Sequence, residues 1–437
     1  MKGKSRSKLI FTIFCFLFSI CRVLTSVFFF TFFLLSPFIH AEETVWSLPA
    51  ESRTILGNET FCHNLPEILL DKRLGLVINH TSLLPDGTPL VTACLIKGMQ
   101  IKAIFSPEHG YSGKVEGGNK VKDNRLNNIK IFSLYGKTRR PTPEQMREID
   151  ALIYDIQDVG TRFYTYITTL KYVLEAAAKA KMPVYVLDRP NPAGGIIIEG
   201  PLLQPEFESF IGSIPVPVRY GLTIGELSLM MKGQGWVPTD VNLHIIKMKN
   251  WKRKYFWEDT GLTWIPTSPN MPSPETAVIY PGTSLLGGII LNQGLGTPNP
   301  FLQFGSPWMD PDLIIRKLPS RASQGVKFEA IDYTPRPIPG KILDPPYKNK
   351  ICHGISIRII QKNKFFPLKF TLALIKVLKE NYPDKIFKES NSLSLMFGNS
   401  LLAEYLKDDI SYPELLASIK KDEDLFRKIR RKYLLYE

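Results

Sequence analysis

Between residues 73 and 188, short apolar runs alternate with stretches of helical period. Residues 74–78, 101–105, 151–154 and 183–187 are each too short for a helix and too continuously apolar for a surface loop, so they read as buried strands. The intervening stretches carry helix signals. Thr142-Pro143-Glu144-Gln145 pairs a capping hydroxyl with a proline at the first helical position and a Gln at the third, a capping box. Thr223-Ile224-Gly225-Glu226 repeats that pattern. Residues 162–181 place Leu170, Val173, Leu174 and Ala177 on one helical face. Strand and helix in alternation predict an α/β fold, a Rossmann-like parallel sheet with helices on both faces.

Every one of those strands ends in ionisable or amide residues. The first runs into Asn79-His80-Thr81-Ser82 and the second into Pro107-Glu108-His109-Gly110. The third runs into Asp155-Ile156-Gln157-Asp158-Val159-Gly160 and the fourth into Asp188-Arg189-Pro190-Asn191-Pro192. Parallel strands point one way, so these four loops crowd onto the carboxyl edge of the sheet, where α/β proteins bind substrates. The pattern predicts a shared polar cleft.

Past about residue 238 the texture changes. Residues 265–275 are rich in proline and read as extended, and a Gly-rich stretch follows to Thr297. A strand over 354–360 and helices over 371–381 and 411–433 then predict a smaller α+β domain that closes the cleft. The expected organisation is a Rossmann-like catalytic domain over 60–237 and an auxiliary C-terminal domain over 238–437.

Residues 1–41 stand apart. Lys2, Lys4, Arg6 and Lys8 precede a long apolar stretch broken by Arg22, which predicts a cleaved signal peptide or, as the alternative, an N-terminal anchor with membrane association. Either way the body of the protein is expected outside the cytoplasm, periplasmic or secreted. The formal charge of +14 includes five basic residues of this leader, so the remainder is nearer +9. Its cations are scattered and interleaved with acids, which argues against nucleic acid as a partner. Outside the leader, Cys62, Cys94 and Cys352 are an odd number without metal-ligand spacing, so no disulfide framework and no zinc site are expected. No glycine-rich nucleotide loop and no G-x-S-x-G elbow is present, and no cofactor is expected.

Carboxylates remain. Two carboxyl groups flanking a bond, one protonated and one ionised, are the usual means of cleaving a glycosidic linkage. Glu108 is the candidate acid, because a shielded loop would keep its carboxyl protonated. Asp155 and Asp158 are the candidates for the second carboxylate. His109 could hold a sugar hydroxyl or orient Glu108. Arg162 could bind an anionic group or pair with one of the aspartates. Tyr164 and Tyr166 could form a platform for a sugar, and Arg189 and Asn191 lie in a rigid proline-bracketed turn. Asn79, Glu116, Gln157 and Asn270 complete the candidate substrate contacts.

Taken in order, these segments carry a resemblance. They are Ser106-Pro-Glu-His-Gly110, Asp155-Ile-Gln-Asp-Val-Gly160 with Arg162 and Tyr164-Thr-Tyr166, Leu187-Asp-Arg-Pro-Asn-Pro192, Thr223-Ile-Gly-Glu-Leu227, Ser268-Pro-Asn-Met-Pro-Ser-Pro-Glu275 and Tyr280-Pro-Gly-Thr283. The set resembles the NamZ-type exo-β-N-acetylmuramidases from about residue 70 onward. The resemblance implies release of terminal N-acetylmuramic acid from peptidoglycan-derived saccharides, with Glu108 as the catalytic acid and no metal or organic cofactor. The sequence departs from the family after Tyr280-Pro-Gly-Thr283. Where the family reads F-E-G-T-N and then S-x-G-R-G-T, this chain has Leu286-Gly-Gly-Ile-Ile290 and Asn292-Gln-Gly-Leu-Gly-Thr297. Leu295 thus replaces an arginine suited to grip the lactyl carboxylate of muramic acid. Tyr220 stands where the family commonly has His, and Ala193 where Asn is usual. These changes predict reduced or shifted activity, and the alternative is a catalytically weakened protein that binds peptidoglycan fragments.

Overall fold

The computed structural model describes residues 53–64, 66–386 and 391–437. The leader expected over 1–41 lies outside them. Among the described residues no helix is long and apolar enough to cross a membrane.

Seven strands form the first sheet. They are β1 (Arg73–Ile78), β2 (Gln100–Ser106), β3 (Asn124–Leu126), β4 (Ile129–Ser133), β5 (Ala151–Asp155), β6 (Val184–Leu187) and β7 (Leu243–Ile246). Their order is β3-β4-β2-β1-β5-β6-β7, parallel throughout except for the antiparallel edge strand β3. Counting only the parallel strands, the order is 3-2-1-4-5-6, the doubly wound arrangement of a dinucleotide-type fold. The switch point, where the winding reverses, lies between β1 and β5, with Ile78 in register with Asp155.

Both faces of this sheet are buried, which is why its strands read as continuous apolar runs. Val77, Phe105, Leu152, Tyr154 and Val186 pack on one face under the helices Tyr166–Lys179 and Ile224–Gly233. Leu74, Leu76, Ile78, Ile104, Ile153 and Leu187 fill the other, under the helices Gly57–His63 and Leu90–Ile96. Both expected capping boxes form: Thr142 and Thr223 each accept from the third helical N–H, and Gln145 and Glu226 reach back to the cap N–H.

The C-terminal part has a three-stranded antiparallel sheet, β8 (Gln303–Ser306), β10 (Cys352–Ile359) and β9 (Val326–Tyr333), in the order β8-β10-β9. Its core includes the helices Pro274–Thr283 and Pro367–Asn381, which approach closely at Gly282. The extended reading of 265–275 is corrected in two places: a turn closes at Met271 N–H on the Ser268 carbonyl at 3.0 Å, and the non-helical stretch ends at residue 273. Ser273 caps a helix that starts at Pro274, where a proline loses no hydrogen bond, and Pro281 lies in that helix's last turn.

Residues 412–436 return to the first sheet. The helix Tyr412–Arg430 buries Phe426 in its core, and Arg430 donates to the carbonyls of Gly195, Ile196 and Gly221 at 3.1, 3.0 and 2.8 Å. Leu435 N–H then meets Glu226 at 2.8 Å, and the Tyr436 hydroxyl meets Asp188 at 2.5 Å.

Candidate active site

The loop after β2 is a tight reversal. His109 and Gly110 are consecutive left-handed residues (φ 68° and 74°), and Gly110 N–H closes on the Pro107 carbonyl at 3.0 Å. A non-glycine residue in that region is costly and needs support from its surroundings. His109 has that support: it is buried, and its Nδ1 donates to the Val115 carbonyl at 2.7 Å. The reversal presents Glu108, which is half-buried, on the cleft side. One carboxylate oxygen accepts from Gly118 N–H at 2.9 Å and the other from the Thr165 hydroxyl at 2.6 Å. Burial and the Glu108 charge together raise the pKa of the Tyr135 hydroxyl beside it.

Asp158, in the loop after β5, lies close to a group of tyrosines, Tyr220 among them. Tyr164 meets Tyr166 and Tyr280 edge-on, with ring centroids 4.8 and 6.0 Å apart. The Tyr280 hydroxyl is pushed far up, first by burial and then by Tyr164, Glu108 and Asp158, so both carboxylates act on it. Asp158 is itself buried, which pushes its carboxyl up to about 6 against hydrogen bonds from the Tyr220 hydroxyl and the N–H groups of Gly160 and Val159 that hold it down. Gly160 N–H and the Tyr220 hydroxyl both reach Oδ2, while Oδ1 is buried with no partner among the described residues. A buried carboxyl raised toward neutrality with one unpaired oxygen is a candidate for a functional group, and a substrate reaches that oxygen only once the buried surroundings part.

Asp155 is arranged differently. It forms a fully buried bidentate pair with Arg189 (Nε to Oδ1 2.5 Å, Nη2 to Oδ2 2.9 Å) and accepts from Asn58 at 3.1 Å. That pairing holds the loops after β5 and β6 together and leaves Asp155 no free face. Asn79 braces the loop after β1: its Oδ1 accepts from Thr81 N–H and hydroxyl, and its Nδ2 donates to the Tyr166 hydroxyl at 3.2 Å. Tyr164 and Tyr166 in turn donate to Thr267 at 2.8 Å each, which ties residue 267 of the proline-rich segment over the cleft.

Arg162 meets neither an anion nor an aspartate. Its guanidinium is fully buried and donates to four carbonyls, Pro201 and Val216 at 2.7 Å, Met396 at 3.0 Å and Phe397 at 2.5 Å. Burial pulls its pKa down to about 9, with Asp422 offsetting part of that shift. The sequence offered anion binding or an ion pair; the structure has instead a cation clamping the first sheet's loops to the helix Asn391–Phe397. Asn191 is similarly internal, donating to the Leu222 carbonyl at 2.9 Å and accepting from Ala193 N–H at 3.0 Å.

Glu116 and Asn270 share a task. Glu116 accepts from Leu343 N–H at 3.1 Å and Asn270 donates to the Lys341 carbonyl at 3.2 Å, so both fasten the C-terminal segment around residue 342 across the mouth of the cleft. Gln157 donates its Nε2 to the carbonyls of Asp158 and Pro190 at 2.8 Å each. The site also contains residues that sequence reasoning did not single out: His80, Tyr135, Thr165 and Tyr280. His80 donates to the Pro266 carbonyl at 2.6 Å and packs on Gly113, where a Cβ would sit 2.0 Å from the ring. Its position directly after β1 was the available signal. Among the described residues no cluster of three or more His, Cys, Asp or Glu could hold a metal ion.

Known proteins resemble this chain over most of its length. Residues 74–275 match the family profile described as "Exo-beta-N-acetylmuramidase NamZ, N-terminal", and residues 278–436 match the corresponding C-terminal profile. The peptidoglycan beta-N-acetylmuramidase NamZ of Bacillus subtilis (strain 168) is 37% identical over 387 residues, 87% of this chain and 91% of that protein. Crystal structures of two DUF1343 family proteins from Bacteroides fragilis share the fold. One has a TM-score of 0.81 at 32% identity, covering 88% of this chain and 100% of the other. The second has a TM-score of 0.71 at 31% identity, covering 88% and 99%.

Proposed function

The chain belongs to the NamZ exo-β-N-acetylmuramidase family, and on that premise we propose that it is a glycoside hydrolase releasing terminal N-acetylmuramic acid from the non-reducing ends of peptidoglycan fragments. The observation that carries the reading is a pair of carboxyl groups in loops at the same edge of the sheet: Glu108 after β2, held by Gly118 N–H and the Thr165 hydroxyl, and buried Asp158 after β5, held by Gly160 N–H and the Tyr220 hydroxyl. Glu108 gives its proton to the glycosidic oxygen as the bond to the anomeric carbon breaks. Asp158, ionised, stabilises the positive charge that develops on that carbon, and a water oxygen then bonds to the carbon while its proton passes to the Glu108 carboxylate, restoring the acid. Asp155, locked to Arg189, keeps the two loops in register. Thr165 and Gly118 fix the Glu108 carboxyl by both oxygens, which orients the acid before substrate arrives.

A second reading has one specific observation behind it. Leu295 supplies no charge where the family carries an arginine, and this favours a protein that binds peptidoglycan fragments with weakened or shifted turnover. Export rests on the charged and apolar pattern of residues 1–41 and places the substrate in reach of the enzyme outside the cytoplasm. Cell fractionation with an intact-mass measurement of the recovered protein tests it.

The deciding experiment gives the purified protein MurNAc-β-1,4-GlcNAc and follows free MurNAc by mass spectrometry, with calorimetric binding alongside. Release that falls by about 10²- to 10⁴-fold in Glu108→Gln is the expected outcome for loss of a general acid. Release unchanged by that substitution refutes the role of Glu108. Binding without release in the unsubstituted protein establishes the second reading instead.

A further inference from the structure

The loop after β4 adds another strand end beside the cleft. β4 pairs in parallel with β2, and Leu134 N–H donates to the Ser106 carbonyl at 2.8 Å, so residues 134–141 leave the carboxyl edge next to the Glu108 loop. Two side chains of this loop matter. Tyr135 is half-buried with its hydroxyl beside Glu108. Arg139 is exposed, and its guanidinium carbon lies 4.3 Å from the ring centroid of Phe210 and 5.7 Å from that of Tyr135. The two rings are 5.4 Å apart, so the cation sits on an aromatic ledge. Burial raises the Tyr135 hydroxyl, the Glu108 charge raises it further and the Arg139 charge lowers it, so the acid and the cation both act on one hydroxyl.

Arg139 is set apart by what it lacks. Its side chain has no ion-pair or hydrogen-bond partner among the described residues. The neighbouring Arg140 stacks in the same way, 4.2 Å from the Tyr172 centroid, but also pairs with Glu175 at 3.1 Å. Arg140 is therefore neutralised within the fold, whereas Arg139 keeps a full set of N–H donors for an anion from outside it. An exposed arginine is ordinarily mobile. One held against two rings has already given up part of that freedom and grips an anion at a smaller entropic cost. The substrate proposed above brings such an anion, the lactyl carboxylate, on the same sugar whose glycosidic bond Glu108 serves.

We propose that Arg139 is a specificity-determining residue of the Glu108 cleft, and that its guanidinium pairs with the lactyl carboxylate of a terminal N-acetylmuramic acid. The pairing rests on the hydrolytic reading for its substrate, yet it concerns recognition and is measured separately from turnover. Tyr135 links the two: its ring helps to seat Arg139 and its hydroxyl adjoins the acid.

The test compares MurNAc-β-1,4-GlcNAc with its lactyl methyl ester, which removes the charge and adds one methyl group. In the unsubstituted full chain KM is expected to be about three- to tenfold lower for the acid than for the ester, the range for one partly exposed charge pair. In Arg139→Gln that ratio falls to about one, while Arg140→Gln, which removes the neighbouring cation, leaves it in place. The advantage of the acid also shrinks as salt is raised, and only where Arg139 is present. Equal weakening of acid and ester in Arg139→Gln makes the residue a structural one and overturns the proposal. A ratio that Arg140→Gln lowers as far does the same. If the unsubstituted protein releases no MurNAc, the hydrolytic reading alone fails, and the same ratio is taken from calorimetric Kd values. An ester bound as tightly as the acid overturns the role of Arg139 with or without release.

Discussion

Replacing Tyr220 with Phe removes one hydrogen bond and no volume, and the bond ends on the carboxylate of Asp158. Asp158 titrates near 6 because burial disfavours its charge more than three hydrogen bonds favour it. A hydrogen bond to a charged group contributes about 1.5–3 kcal/mol, and one pKa unit is about 1.4 kcal/mol, so its loss lifts Asp158 by about one to two units, to about 7–8. If Asp158 acts ionised, activity rises with pH through that value. The profile of kcat for MurNAc release then has an ascending limb near pH 6 in the unsubstituted protein, displaced upward by the same amount in Tyr220→Phe. Stability provides an independent reading with its own sign. The folded protein holds a proton on Asp158 that the unfolded chain, with a carboxyl near 3.8, gives up, so this group's contribution falls as pH rises from about 4 to about 6. In the variant the decline continues to about pH 8, and the difference between the two unfolding curves isolates Asp158 from Asp188 and Glu199, which burial also raises. An ascending limb that stays in place would refute Asp158 as the ionised partner, and a descending limb that moves would make it the acid.

Arg162→Met preserves bulk but leaves four buried carbonyls without donors, at about 1–3 kcal/mol each, partly offset by no longer burying a charge; urea denaturation is expected to register a loss of at least about 3 kcal/mol with KM unchanged. A loss below about 1 kcal/mol with a raised KM would instead make Arg162 an anion-binding residue. Gly282→Ala puts a Cβ 2.1 Å from the Pro367 carbonyl oxygen, so the helices Pro274–Thr283 and Pro367–Asn381 must separate. Overpacking of this kind costs about 1–3 kcal/mol or more, seen as a lower thermal midpoint, and an unchanged midpoint contradicts the close approach. Leu295→Arg restores the family's cation, and kcat/KM for a MurNAc terminus relative to a GlcNAc terminus is expected to rise about tenfold or more, as one charge-assisted hydrogen bond allows. A ratio that does not move shows that residue 295 does not read the lactyl group.

The strands at the centre of the sheet were legible in the sequence because they are buried on both faces. β1, β2, β5 and β6 each fall within a residue or two of their expected spans. The edges were not. β3 is three largely exposed residues and β7 is half-exposed, so neither carries a continuous apolar run. In the C-terminal part β9 has no fully buried residue, and its pairing with β10 is fixed by partners 19 to 33 residues away. The candidate site divides the same way. Strand-end position placed Glu108, Asp158, Asp155 and Arg189 in the loops at the carboxyl edge of the sheet, where the structure has them. It could not say that Asp155 and Arg189 satisfy one another, or that Arg162 reaches carbonyls as far as 235 residues along the chain. Such pairings are set by tertiary contact and leave no trace in local periodicity.

The return of residues 412–436 onto the first sheet bears on how the protein is made. Asp188 and Glu226 belong to loops and helices that a ribosome delivers early, yet each takes a bond from residue 435 or 436. The cation of Arg430 gathers carbonyls on both sides of residue 200. The N-terminal half can collapse while synthesis continues, but it must wait through some 200 further codons with two buried carboxyl groups short of their partners. During that interval it is the form most exposed to proteases and most in need of a chaperone. The last 25 residues therefore complete the first sheet's surroundings only when nearly all of the chain has been synthesised.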